Sequence, residues 1–229
     1  MLSSPRSPSA PLGAIGAELA ALILAACCAG CDTPGELLCD RCRAQLSPTP
    51  SDFTTPGGLR VRAALTYDAV AARCIRRLKG DGETILARPL GDALAGVLWA
   101  ALTPAAFAVP VPTGRSAFRR RGYRVPELLM RRAGVAPQRL LLPARPTADQ
   151  RGLGAQERAE NVRGSMRVRA RGAGTEVVLV DDVVTTGATF DEAARVLGSA
   201  GFRVVAAVAL AATPLHRRLI GNPPETRRK

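Results

Sequence analysis

The chain has 229 residues, 47% of them hydrophobic and 3% aromatic, and a formal net charge of +13 carried almost wholly by arginine. That length suits one compact domain plus a small accessory module. The apolar fraction excludes wholesale disorder, and the scarcity of aromatics requires a core of Ala, Val and Leu. The charge favours anionic partners (phosphate, pyrophosphate or nucleic acid), although an arginine-rich composition by itself locates no site.

Residues 1–12, "MLSSPRSPSAPL", are Ser- and Pro-rich and read as a disordered leader. Residues 13–46 form a small module holding five of the six cysteines. Its stretch "ELAALILAACCAGC" admits two readings. It resembles the apolar core of a lipoprotein signal ending at Cys27, but Glu18 interrupts the run and the leader has a single Arg and much Pro. Those features favour a short helix leading into a metal knuckle. No run approaches the roughly 20 apolar residues that span a bilayer.

Cys28 and Cys31 form one C-x-x-C pair and Cys39 and Cys42 another, separated by "DTPGELL". Each pair aims two thiolates at one point, and the spacer lets the second turn fold opposite the first. Four thiolates satisfy tetrahedral zinc with no open position, which makes the site structural. Two disulfides or four unligated thiols are the alternatives, and disulfides need an oxidising compartment. Cys27 offers a shifted register. Cys74 reads as an ordinary buried thiol.

Residues 47–60, "SPTPSDFTTPGGLR", read as a linker. Residues 61–212 alternate helix-like and strand-like runs, and 213–229 form a basic tail in which the single histidine, His216, is assigned no role. Within the main domain, "EVVLV" at 176–180 is a buried parallel strand. "TTGAT" is a tight turn. "FDEAARVLGSAG" has apolar residues at helical spacing and ends on Gly201 as a cap, and "FRVVAAVALA" is a second strand. This order is a βαβ unit in an α/β fold.

The turn therefore joins the carboxyl end of a strand to the amino end of a helix, where open α/β sheets bind ligands and free N–H groups attract phosphate. Gly187 and Ala188 leave room for a phosphate, and Thr185, Thr186 and Thr189 supply hydroxyls. Asp181 and Asp182 would repel a phosphate placed on them, but suit the hydroxyls of an adjacent sugar, with a divalent cation nearby. An N-capped helix with two merely exposed carboxylates is the simpler alternative, but a cap needs one such residue and not this series.

The segment "VVLVDDVVTTGAT" closely resembles the phosphoribosyl pyrophosphate (PRPP) motif of type I phosphoribosyltransferases. Three further segments narrow the resemblance to the ComF family, competence-associated proteins with an N-terminal zinc knuckle. These are "YDAVAARCIRRLKGDGE" at 67–83, "VPVPTGRSAFRRRGYR" at 109–124 and "RPTADQRGLGAQERAENVRG" at 145–164. The resemblance covers about residues 20 to 212. It implies a type I phosphoribosyltransferase-like parallel sheet flanked by helices, beside the small zinc module. It also implies that Asp181 and Asp182 face the ribose 2′- and 3′-hydroxyls in a catalytic role, and that Thr185 to Thr189 wrap the 5′-phosphate. Thr113 to Arg115 would form the pyrophosphate loop, with Arg115 as the contact, and 145–158 a loop that closes over PRPP with Mg²⁺. One departure is visible: the family commonly has Asn-Gln after its "RGY" or "RGF", where this chain has Arg124-Val125.

Arg115, Arg119, Arg120, Arg121 and Arg124 crowd one stretch, fit either for pyrophosphate or nucleic acid or for a solvated helix face. Two function classes follow. The first is a phosphoribosyltransferase using PRPP or a nucleotide. The second is an accessory in DNA uptake that engages single-stranded DNA or competence proteins, a reading weakened by the few aromatics available for base stacking. A nucleotide-sensing regulator without chemistry is a third. A cytoplasmic location is expected, because PRPP is an intracellular metabolite and the knuckle needs reduced thiols.

Overall fold

The computed structural model describes residues 27–144 and 162–214. The expected leader, the segment 145–158 and His216 lie outside the described residues. The strands are β1 (Ser51–Thr54), β2 (Arg60–Thr66), β3 (Phe107–Pro110), β4 (Leu141–Pro143), β5 (Met166–Val168), β6 (Glu176–Val184) and β7 (Arg203–Ala212). Five of them form one sheet in the order β1-β2-β7-β6-β3. Strand β1 is antiparallel to β2, and the remaining neighbours are parallel. Strands β4 and β5 make a separate antiparallel ribbon.

The helices are α1 (Asp40–Gln45), α2 (Ala69–Gly80), α3 (Ala87–Ala101), α4 (Arg115–Arg121), α5 (Val125–Arg132) and α6 (Ala188–Ser199). Helix α2 starts where the Asp68 carboxylate accepts the N–H of Ala71 at 3.4 Å, a side-chain cap on an otherwise unsatisfied donor. The sheet separates two cores. On one face, Ile75, Leu78, Leu94, Leu98 and Leu129 of α2, α3 and α5 pack on Val178, Val180 and Leu210. On the other, Phe190 and Leu197 of α6 pack on Val177, Leu179 and Ala209. The period-2 alternation of β6 feeds both, as expected of a parallel strand covered on both sides. Core side chains are mostly aliphatic, and the exceptions, Phe53, Phe190 and Phe202, all lie on the α6 face.

The structure corrects one boundary. Part of the stretch 47–60, expected to be a linker, is strand β1. Pro48 and Pro50 precede the strand, and Pro56, Gly57 and Gly58 follow it in a turn closed by Thr55 N–H to the Leu59 carbonyl and Gly58 N–H to the Thr55 carbonyl. Ahead of that turn, Phe53 is buried and Asp52 receives a two-pronged pair from Arg62 at 2.7 and 2.6 Å.

Helices α3 and α5 approach closely at Gly91, where an added Cβ would lie 2.3 Å from the Arg132 Cβ and 3.1 Å from the Leu129 carbonyl oxygen. Replacing this glycine with alanine gains about 1 kcal/mol of helix propensity, whereas overpacking costs about 1–3 kcal/mol. Backbone on the facing helix cannot yield as a flexible side chain would, so the cost is expected to dominate. Gly91→Ala should lower the urea midpoint of unfolding; an unchanged or raised midpoint would contradict this packing.

Candidate functional site

The sheet's parallel strands all end at one edge, and the site lies there between β3 and β6. Strand β6 runs past the expected "EVVLV" and continues through both aspartates to Val184, because β7 pairs with it to the end: Asp181 with Ala209, Val183 with Ala211 and Val184 with Ala212. The carboxylates are thus fixed on a strand. They line a cavity of about 250 Å³. Its other walls are Val111–Gly114 after β3, Ala117 and Arg121 of α4, the β4–β5 ribbon at Pro143 and Met166, and Thr189 in the first turn of α6.

The two aspartates differ in their surroundings. Asp182 is buried and its Oδ1 receives the Lys79 ammonium at 2.6 Å. Asp181 accepts the N–H of Asp182 at 2.8 Å. Burial, and then the neighbouring Asp182 carboxylate, push the Asp181 pKa up to about 8, against the pull of Lys79. Asp181 therefore gives up its proton less readily than an ordinary carboxyl. Lys79 itself titrates above the ordinary lysine range: burial favours its neutral form, but the two aspartates outweigh that.

The expected phosphate residues surround the turn after β6. Gly187 has φ +82° and stands as the N-cap of α6, and Ala188 donates to the Thr186 hydroxyl at 3.3 Å. Thr189 lines the cavity, while Thr185 is exposed beside it. The β1–β2 turn braces this one: Asp191 of α6 accepts the Thr55 hydroxyl and the Gly57 N–H. A Cβ on Gly187 would meet Thr55 Cγ2 at 2.6 Å. A valine there would thus strain the backbone and displace the hairpin before it screened any phosphate.

The arginines separate. Thr113 and Gly114 line the cavity, but Arg115, the expected pyrophosphate contact, is exposed and does not. One turn and a half along α4, Arg121 does line it, and its Nε is buried without a hydrogen-bond partner among the described residues. Helical geometry explains the shift, since residues six apart on α4 face different directions. Arg124, at the departure from the family pattern, stacks 4.1 Å above the Phe118 ring and lies 3.7 Å from Glu127. It is occupied structurally.

Sequence reading missed Lys79, although it is the only lysine among the described residues. It also missed Glu192, which is buried and accepts the Gly164 N–H at 2.7 Å beside Arg195 at 2.8 Å. That bond fastens the Gly164 turn to α6.

The cysteine module docks on α2. Sγ atoms of Cys28, Cys31, Cys39 and Cys42 all lie within 4.8 Å of one another, with Cys28–Cys39 at 3.6 Å and Cys31–Cys39 at 3.7 Å. A tetrahedral zinc with bonds of about 2.3 Å sets its sulfurs roughly 3.8 Å apart, so the four thiols fit it. Burial opposes the Cys28 thiolate, but backbone N–H groups of Cys39, Gly30 and Cys31 outweigh it and bring its pKa down to about 6. Gly30 lets Cys42 approach, since a Cβ there would lie 2.6 Å from the Cys42 Sγ. Cys27 is exposed and stands apart from the four. Cys74 is buried, and burial pushes its thiol up to about 11. Asp32 of the knuckle pairs with Arg73 and, at 2.6 Å, with Arg77 of α2.

With this geometry in hand, the sequence matches the phosphoribosyl transferase domain over residues 144–222. It is also 30% identical over 189 residues to the DNA utilization protein YhgH of Salmonella typhi, covering 74% of this chain and 77% of that protein. The chain belongs to the ComF family. Solved structures similar to this ComF-family chain are distant. The adenine phosphoribosyltransferase of Leishmania tarentolae is 19% identical at a TM-score of 0.35, with 59% of this chain covered and 62% of that one, less than two thirds of its length. The Rhodothermus marinus adenine enzyme is 16% identical at 0.39 over 79% and 93%. The orotate enzyme of Aeropyrum pernix is 22% identical at 0.34 over 75% and 78%. Membership rests on the sequence relative; the fold is that of a type I phosphoribosyltransferase. Among the described residues no helix is long and apolar enough to cross a membrane.

Proposed function

We propose that this ComF-family protein binds PRPP or a nucleotide in the cavity at the ends of β3 and β6, in the cytoplasm, and transfers the phosphoribosyl group once an acceptor is in place. The observation that carries this reading is the convergence, on one cavity, of two strand-borne carboxylates, the Lys79 ammonium, an Arg121 Nε without a hydrogen-bond partner among the described residues, and the Thr189 end of the motif turn. Asp181 and Asp182 would accept or exchange hydrogen bonds with the ribose hydroxyls, and the 185–189 turn would hold the 5′-phosphate. Arg121 would face the pyrophosphate, in place of Arg115. The two carboxylates also suit Mg²⁺ held largely through water and substrate oxygens, and the cation would neutralise the departing diphosphate. Positive charge developing at the anomeric carbon would be stabilised by the fixed carboxylates.

A tenfold or greater loss of PRPP affinity is expected for Asp182→Asn, since a charge-assisted hydrogen bond is worth about 1.5–3 kcal/mol and about 1.4 kcal/mol is tenfold. Calorimetry with Mg²⁺ and PRPP, with circular dichroism to confirm folding, is the test. Undiminished affinity in the folded variant would remove Asp182 from the site.

One observation favours the second reading, an accessory in DNA uptake. Arg115, Arg119 and Arg120 are exposed together on α4, and the curated relative is a DNA utilization protein. Short single-stranded DNA or competence proteins would be the partners, and the same calorimeter run with an oligonucleotide measures it.

The four thiols are proposed to hold structural zinc. Purified protein should carry one zinc per chain, and Cys39→Ser should release it and lower the melting temperature, because binding energy at such a site is folding energy. Metal-free protein with unchanged melting would contradict this.

A further inference from the structure

Lys79 is an exception to the chain's own habit. The sequence contains two lysines, and the other is Lys229 at its end. Every other side-chain ion pair among the described residues joins a carboxylate to arginine: Asp52 to Arg62, Asp32 to Arg73 and Arg77, Glu83 to Arg77, Glu127 to Arg139, Glu176 to Arg203, Glu192 to Arg195. At Asp182 alone the partner is an ammonium. The distinction is physical. A guanidinium fork grips a carboxylate through two parallel bonds, whereas an ammonium is a single point charge on a flexible stem and can pass from one anion to another.

The surroundings favour such a passage. The Asp182 side chain is 12% exposed and fixed on a strand, while that of Lys79 is 30% exposed and leaves the last turn of α2. Lys79 and Arg121 line the same cavity, and Arg121 Nε has no partner among the described residues. The base of α2 is itself held firm. Tyr123 donates to the Leu78 carbonyl, and Arg73 and Arg77 tie the helix to the knuckle. The Lys79 stem can therefore swing without the helix moving.

We propose that Lys79 is an exchangeable counter-ion. Without ligand it neutralises Asp182; when a diphosphate arrives, its ammonium transfers to the phosphate oxygens beside Arg121 and leaves Asp182 free to accept a ribose hydroxyl. This rests on the phosphoribosyl reading above. It supplies the site with a basis for selecting a ribose phosphate that carries a diphosphate. Ribose 5-phosphate offers no second anion to draw the ammonium away, so it must compete with Lys79 for Asp182. A ligand shifts such an equilibrium only by its differential affinity for the two states, and the diphosphate provides that difference.

The test compares Kd values for PRPP and ribose 5-phosphate, both with Mg²⁺, in the wild-type protein and in folded Lys79→Met. Lys79→Gln repeats it with a polar side chain should methionine disturb folding. Wild-type protein should prefer PRPP. The variant should lose that preference by about tenfold or more, with PRPP affinity falling and ribose 5-phosphate affinity held or improved. An unchanged ratio, or equal losses for both ligands as expected of a merely structural lysine, would overturn the assignment and leave the phosphoribosyl reading standing. Wild-type protein that binds neither ligand would overturn both.

Discussion

Two adjacent carboxylates at the end of a covered strand set the constraint on which the rest of the site depends. Like charges one residue apart cannot both ionise freely away from water. The chain meets this in three ways. The pleat directs successive side chains to opposite faces of β6, so Asp182 meets Lys79 on the α2 side. Asp181 retains its proton more readily, its pKa raised to about 8 by burial and by its neighbour. The N–H of Asp182 donates to Asp181 at 2.8 Å and shares the remaining charge.

That solution makes the position of α2 consequential. The helix presents Lys79 from its last turn and carries Arg73 and Arg77, which pair with Asp32 of the cysteine knuckle. Cys28, Ala29, Leu38, Cys42 and Leu46 belong to the same buried cluster as Ile75 and Leu78. The knuckle is thus part of the main core, and its folding helps to set where Lys79 stands. On the opposite side of the sheet, Asp191 and Glu192 do the corresponding work for α6: one secures the β1–β2 turn and the other the Gly164 N–H. Both faces of the sheet therefore fasten the elements that border the cavity.

Much of this was legible in the sequence because it is local. The βαβ unit followed from a β-branched run, a Gly-containing turn and helical spacing from Phe190 to Leu197. The four-cysteine set followed from two C-x-x-C pairs, and the structure separates Cys27 from it. Contacts between segments distant in sequence were not legible. Lys79 and Asp182 stand 103 residues apart, and Thr55 and Asp191 stand 136 apart. The strand at Ser51–Thr54 was hidden because its Pro- and Gly-rich turn dominates the local composition. The sequence shows that arginines cluster on α4, but not that α4 turns Arg121 rather than Arg115 toward the cavity.

The acidic pair and the turn after β6 are proposed to form one ribose-phosphate site. A crystal structure of the protein grown with PRPP and Mg²⁺ tests it most directly. The 5′-phosphate should lie within hydrogen-bond distance of the 185–189 turn, with the ribose hydroxyls on Asp181 and Asp182. Ligand density elsewhere on the chain, with this cavity empty at saturating PRPP, would contradict it.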